Sequence, residues 1–351
     1  MNQGRLISIV TPTFNRAKLL AKAIESVRSQ SYRSWEMLIW DDGSSDDTPQ
    51  IVPTYHDPRI RYYRGPNRGQ ASARNQALQN AKGEYIAFLD DDDQWLPGKL
   101  ARQVQILDRF EEADVLFANF KNVDLVNQTV RLSFDANRDI LARMKTEPLE
   151  PGVHLIRDGF AESLSQRNIV LPSSTIMRRK ICVAVGPFNE HLRGAEDMEY
   201  WWRCALRGAR FAYVEEVLLV RRKGEDSFSA CGVQSLDEAI KALHSCLRDA
   251  ERLGREDLKS VLRRAIGIGW EDTIRICLAQ GKPWRALGAF RHRCRYGITR
   301  RAVVLAACSF FGPTILRLRG VAPRAFPASS SARQISGPVI QPLRNQDRGP
   351  T

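Results

Sequence analysis

Long apolar runs are missing from this chain of 351 residues. None approaches the ~20 residues that a membrane-spanning helix needs. The longest candidate, Ala302 to Cys308 continuing into Ser309-Phe310-Phe311, is too short to cross a bilayer unaided. Cysteine is sparse as well. The seven residues at 182, 204, 231, 246, 277, 294 and 308 are scattered, with no Cys-x-x-Cys pair. That pattern argues against a zinc site or a disulfide framework and for reduced thiols in a cytoplasmic protein. No opening stretch joins a basic start to an apolar run and a small-residue cleavage site, so no secretory leader is expected. Internal repeats are also absent. What remains is a globular composition, 43% hydrophobic and 26% charged, long enough for one large domain and a smaller one.

Acids are nearly absent from the last quarter. From Thr273 onward there are 14 Lys and Arg but one acid, Asp347, so the net charge of +13 resides there. The first 272 residues balance, with 39 of each sign. Such asymmetry predicts an anionic surface as partner of the C-terminal region. Trp284, Phe290, Phe310 and Phe311 among the arginines suit peripheral attachment to an anionic leaflet at the cytoplasmic face of a membrane. In the segment Pro283 to Tyr296, Trp284, Leu287, Phe290 and Cys294 share one arc, with Arg285, Arg293 and Arg295 mostly opposite. Nucleic acid is not expected, because the charge lies outside any recognisable module.

The stretch that organises the rest is Tyr85-Ile86-Ala87-Phe88-Leu89-Asp90-Asp91-Asp92-Asp93. An apolar strand ends there in four carboxylates. On an extended backbone Asp90 and Asp92 share one face, and Asp91 and Asp93 the other. Such a cluster repels itself, and a divalent cation of the Mg²⁺ or Mn²⁺ type would relieve it. A solvated acidic turn is the alternative. Two other strand ends are polar in the same way: Thr11 to Asn15, where Pro12 is expected to stop the first strand, and Asp41-Asp42. Strands alternate with helices, at Arg16–Gln30 and Ala71–Ala81 among others, which implies a largely parallel, doubly wound sheet. Ligands of such sheets bind outside the carboxyl ends of the strands. Residues 121–165 read as irregular, Ser173–Met177 as a strand, and Gly194 to Arg203 as an acidic pair opening an aromatic helix. Trp201 and Trp202 read as core.

Leu6 to Asn15, Asp41-Asp42-Gly43-Ser44, Asn67-Arg68-Gly69 with Ala73-Arg74-Asn75, Phe88 to Asp93 with Trp95 and Pro97, and Gly194 to Arg203 resemble, in order and spacing, the family 2 glycosyltransferases of GT-A fold. The resemblance covers about residues 5 to 230. It implies an α/β fold with a Rossmann-like, mostly parallel sheet, helices on both faces, and here a C-terminal helical extension. It further implies inverting transfer of a sugar from a nucleotide-diphosphate donor to a hydroxyl of a glycan or lipid-linked acceptor, as in cell-surface polysaccharide biosynthesis. Pro12, Phe14, Asp42, Asn67, Arg74, Asp90 and Asp91 match the donor-binding positions. Asp92, with Asp90, matches the ligands of a divalent metal (Mn²⁺ or Mg²⁺), and Asp197 the catalytic base, with Glu196 beside it. The middle position of the family's acidic motif is often Ser; here it is Asp91. No Gln-x-x-Arg-Trp is present, so one sugar per encounter is expected.

On this reading residues 1–230 are the catalytic domain, 231–322 a basic helical region and 323–351 a disordered tail. A nucleotidyltransferase is the competing enzyme class, but no glycine-rich loop follows the first strand. A sugar-nucleotide binder without catalysis is the other alternative. A phosphoacceptor receiver module is much shorter and leaves Glu196-Asp197 unexplained.

Overall fold

A computed structural model describes residues 4–223, 232–297 and 299–311. In it β1 (Ile7–Thr13) is buried along its whole length, as a central parallel strand requires. Pro12 does not stop this strand. It lies past Val10, where the neighbour Tyr85–Phe88 no longer pairs, and a missing N–H is tolerated at such an edge. α1 (Ala17–Arg28) follows, then β2 (Trp35–Asp41), the short α2 (Thr48–Ile51), β3 (Ile60–Arg64), α3 (Gln70–Gln79) and β4 (Tyr85–Phe88). These strands form a parallel half-sheet in the order β3-β2-β1-β4.

Successive side chains point to opposite faces and so feed two cores. Ile7, Ile9, Met37, Ile39 and Ala87 pack with Leu20, Ala23 and Ile24 of α1. Val10, Leu38, Ile86 and Phe88 pack with Ala71 and Ala77 of α3. Helices therefore cover both faces, as expected for this α/β class.

Beyond β4 the sheet is mixed. β5 (Gln94–Trp95), α4 (Lys99–Arg109), β6 (Val115–Asp124), β7 (Thr129–Leu132), α5 (Ser133–Ala136), α6 (Arg138–Leu141), β8 (Lys145–Glu150), β9 (Val153–Asp158) and α7 (Phe160–Gln166) lead to β10 (Thr175–Arg178). β10 runs antiparallel between β4 and β6. α8 (Arg179–Val185), α9 (Glu196–Leu206) and β11 (Phe211–Lys223) follow, with β11 parallel to β6 and antiparallel to β9. Residues 121–165 are thus not irregular. β7 leaves three of its four side chains exposed, and β8 lies at the sheet edge with Pro148 in it. Strands of that kind lack the apolar alternation by which strands are read.

The chain ends its described part in α10 (Gly232–Arg252), α11 (Glu256–Ala279), α12 (Pro283–Cys294) and α13 (Arg300–Phe311). Leu243, Cys246 and Leu247 of α10 and Val261, Leu262 and Ile266 of α11 join the core that holds Tyr200, Trp201 and Trp202 of α9. Both tryptophans are core, as read. The apolar arc read on α12 is not the face that the helix buries. Trp284 is 81% exposed, and the buried face is Ala286, Ala289 and Arg293. Arg293 can occupy the core because Glu271 of α11 receives its Nε at 2.9 Å and Nη2 at 2.8 Å, while the Tyr296 and Gly297 carbonyls accept from Nη1. Among the described residues no helix is long and apolar enough to cross a membrane. Residues 312–351, including the stretch 323–351 expected to be disordered, lie outside the described part.

Candidate active site

β4 ends at Phe88, and the four aspartates form a turn in which Asp93 N–H donates to the Asp90 carbonyl at 3.1 Å. The extended backbone expected there does not hold, yet the alternation of exposure does. Asp91 and Asp93 are buried; Asp90 and Asp92 are half-buried. Asp91 accepts from Thr13 Oγ1 at 2.7 Å and Arg16 Nη1 at 3.1 Å. The same Nη1 reaches Asp92 Oδ2 at 2.6 Å. Burial, offset in part by Arg16, pushes the Asp91 carboxyl up to about 7. Burial and the charge of Asp90 raise Asp92, and burial with the charges of Asp92 and Asp90 raises Asp93 well above the usual range.

Arg74, on α3, joins this turn to the start of α9. Its side chain is almost fully buried, with Nη2 2.7 Å from Asp90 Oδ1 and Nη1 2.8 Å from Glu196 Oε1. Burial disfavours the charged guanidinium, but Asp90, Glu196 and Asp197 outweigh it and hold Arg74 above its ordinary pKa. Removing either partner would leave a buried charge uncompensated. Glu196 is thereby committed to Arg74. The neighbouring Asp197 is half-buried, accepting from Met198 N–H at 2.7 Å and Asn168 Nδ2 at 2.9 Å. Burial and the adjacent Glu196 raise it to about 6, against the pull of Arg74. Asp90, Asp91, Asp92, Arg74, Glu196 and Asp197 therefore belong to one neighbourhood.

The remaining candidates lie toward β2. Asp42 is buried, and its two oxygens accept from Arg68 N–H at 2.9 Å and Gly69 N–H at 2.7 Å, so it shapes the Asn67–Gly69 loop. Gly43 has φ +84°, and a side chain there would meet the Asn67 backbone nitrogen at 3.0 Å, which explains the glycine. Pro12 is buried, whereas Phe14 is 44% exposed and Asn67 is exposed.

Four residues escaped sequence reading: Arg16, Asn168, Ser173 and Arg193. Ser173 Oγ accepts from Asp90 N–H at 3.0 Å, and its carbonyl accepts from Trp95 Nε1 at 2.8 Å. Asn168 lies in a loop and Ser173 in the short 3-10 helix Pro172–Ser174, neither with a repeating pattern, and only the fold brings them to the site. Arg16 and Arg193 adjoin motifs already singled out, and a search for cations next to acidic motifs would have found both.

The donor set fits a hard cation. Six carboxylates, Asp90 to Asp93 with Glu196 and Asp197, face Arg16, Arg74 and Arg221, so negative charge is in excess. Asp93 Oδ1 is buried and has no hydrogen-bond partner among the described residues. Asp90 and Asp92 each use one oxygen in the contacts above, which leaves the other for a ligand. No three His, Cys, Asp or Glu side chains among the described residues make a ready cage. A cation here would rely on one or two carboxylates completed by ligand oxygens and water, a mode usual for Mg²⁺.

Comparison with known proteins gives the family. The model of the family "Glycosyl transferase family 2" matches residues 8–162. The chain is 30% identical over 237 residues to an uncharacterized glycosyltransferase, RT0329, of Rickettsia typhi, covering 66% of this chain and 69% of that one. It is also 30% identical over 253 residues to the putative glycosyltransferase EpsE of Bacillus subtilis, covering 71% of this chain and 84% of EpsE. The chain belongs to glycosyltransferase family 2. A third relative, the putative colanic acid biosynthesis glycosyl transferase WcaA of Escherichia coli, is 46% identical over 104 residues, 29% of this chain and 37% of WcaA. The chain also spans only 34% of the length of two further rickettsial relatives. Among solved structures, S. aureus TarS 1–349 in complex with UDP-GlcNAc superposes with a TM-score of 0.62 at 19% identity, over 85% of this chain and 83% of TarS. That likeness concerns the fold of this family 2 glycosyltransferase.

Proposed function

We propose that this family 2 glycosyltransferase moves one sugar per encounter, with inversion, from a nucleotide-diphosphate donor to a hydroxyl of a glycan or lipid-linked acceptor. The supporting observation is the Arg74 bridge, which ties the acidic turn to Glu196-Asp197 across 122 residues of sequence. Asp197 serves as general base: half-buried, raised to about 6 and oriented by Asn168, it takes the proton of the attacking hydroxyl. Glu196 and Arg74 set the start of α9, and Asp91 with Thr13 and Arg16 sets the acidic turn. Asp42 holds the loop against which the nucleoside lies, with Phe14 and Asn67 at its opening. Asp92 and Asp90 would hold a Mn²⁺ or Mg²⁺, which when bound would neutralise charge on the leaving diphosphate.

Residues 1–230 act as the catalytic unit, and in the region 231–322 the helices α10 to α13 brace it and face a membrane. On α12 and α13 Lys282, Arg285, Arg291, Arg295, Arg300 and Arg301 are exposed and make no ion pair among the described residues, with Trp284, Val303 and Val304 exposed among them. Such a surface suits the anionic cytoplasmic leaflet. WcaA's name supports a place in cell-surface polysaccharide biosynthesis.

The test is a thermal-shift screen of nucleoside diphosphates with and without Mn²⁺, followed by a transfer assay. A binder at 100 times its Kd adds about 2.7 kcal/mol of stability. Stabilisation that needs both nucleotide and metal, and transfer that is lost in Asp197→Asn, is the expected outcome. No stabilisation by any nucleoside diphosphate would sink the reading. Binding without transfer to any acceptor or to water would favour a silent sugar-nucleotide binder.

A further inference from the structure

We propose that Arg193 is a phosphate-binding residue at the rim of this site, an assignment that rests on the transferase reading above. Three other arginines stand near the acidic turn, and each already faces carboxylates. Arg16 holds Asp91 and Asp92, Arg74 holds Asp90 and Glu196, and the charge of Arg221 acts on Asp92 and Asp93. Arg193 is different. It is exposed and makes no ion pair among the described residues; its one side-chain hydrogen bond runs from Nη1 to the Arg68 carbonyl at 3.4 Å.

The position of its head is set from two sides. Glu238 of α10 accepts from the Arg193 backbone N–H at 2.8 Å and, through its other oxygen, from Lys241 Nζ at 2.7 Å; the Arg193 charge acts on Glu238, but the two side chains form no ion pair, so the backbone is fixed while the donors of the guanidinium stay available. At the other end Nη1 lies over Gly69. That glycine has φ +95°, and any side chain there would meet Nη1 at 2.9 Å. Gly69 N–H is bound to Asp42, and the next residue, Gln70, reaches Asp90 Oδ1 with Nε2 at 3.4 Å. Three residues past Arg193, Glu196 begins the helix that carries Asp197. The guanidinium thus lies against the nucleotide-side loop, next to the residue that reaches the acidic turn, and its backbone leads directly into the helix of the proposed base. Its planar fork of donors matches phosphate oxygens, and a phosphate would replace one long bond to a carbonyl with charge-assisted ones.

Two substrates could bring that phosphate: the donor through its diphosphate, or a lipid-linked acceptor through its own. The experiment separates them. The full chain, with MnCl₂, is titrated with uridine, UDP and GDP; the nucleotide-saturated protein is then titrated with decyl phosphate. In Arg193→Gln the affinity for one of these phosphates should fall about 10- to 100-fold, with Arg193→Lys recovering part of it, and the melting temperature should not change. Weakened UDP or GDP assigns the donor diphosphate, and weakened decyl phosphate assigns the acceptor. Equal affinity of wild type and Arg193→Gln for every phosphate probe overturns the assignment. So does a parallel loss of uridine binding, since that would make Arg193 a brace for the loop. A wild-type chain that binds no nucleoside diphosphate overturns the transferase reading, and this assignment with it.

Discussion

Arginines are used in opposite ways in two regions of this molecule. Around the acidic turn Arg16 and Arg74 are each held by two carboxylates, and Arg74 is almost fully buried. On α12 and α13 and in the turn between them, Arg285, Arg291, Arg295, Arg300 and Arg301 are exposed and make no ion pair among the described residues. Arg293, on the same α12, is buried, and Glu271 of α11 holds it there. Position in sequence therefore says little about what an arginine does; the carboxylate it meets decides. Where the charge is matched internally it fixes geometry, and where it is unmatched it is available to a partner.

The largest effect expected from breaking the first arrangement is chemical. Asp197→Asn should lower kcat about 10²–10⁴-fold with nucleotide affinity retained, measured by transfer kinetics beside calorimetric titration. Lost nucleotide affinity would instead put Asp197 on the donor side. Next is stability. Arg74→Ala leaves Asp90 and Glu196 without their shared partner and should cost about 3–5 kcal/mol in urea unfolding. Arg291→Ala, on the exposed arc, should stay within about 0.5 kcal/mol. Equal costs would erase the contrast between the regions. A third test reverses Arg285, Arg291 and Arg295 to Glu together. Co-sedimentation with anionic vesicles should weaken by at least ~1 kcal/mol per residue, and more at low salt than at high salt. Retention of wild-type binding would remove the membrane from the proposal.

The smallest effect sharpens the role of Asp197. A general base must be ionised, so kcat should fall about tenfold per unit as pH drops below about 6 and level off above it. The linkage to stability has the opposite sense. Because the folded carboxyl is raised above its unfolded value of 3.8, its protonation favours the fold. That contribution is complete below 3.8 and is lost as pH rises through about 6. Asp197→Asn should flatten both profiles over that window.

Much of this was legible beforehand for a physical reason. Buried strands such as Ile7–Val10 and Tyr85–Phe88 carry apolar runs, and the acids that end them stand out because nothing apolar follows. Edge strands gave no such signal: β7 and β8 are exposed and polar, so residues 121–165 read as loop. The buried face of α12 was not legible, because helical periodicity ranks side chains by hydropathy and is blind to a buried partner such as Glu271. The motif residues of the site were visible one at a time. That Arg74 would reach both Asp90 and Glu196, or that Asn168 would hold Asp197, depends on contacts between distant segments that no local pattern encodes.

The Arg74 bridge also bears on how the protein comes into being. One of its anchors is translated 122 residues after the arginine itself. A ribosome that has made the parallel half-sheet has therefore made the acidic turn and a cation still waiting for its second anchor. Competence should arrive late and in one step, once the ninth helix has emerged and docked, so that unfinished chains stay inert toward sugar nucleotides.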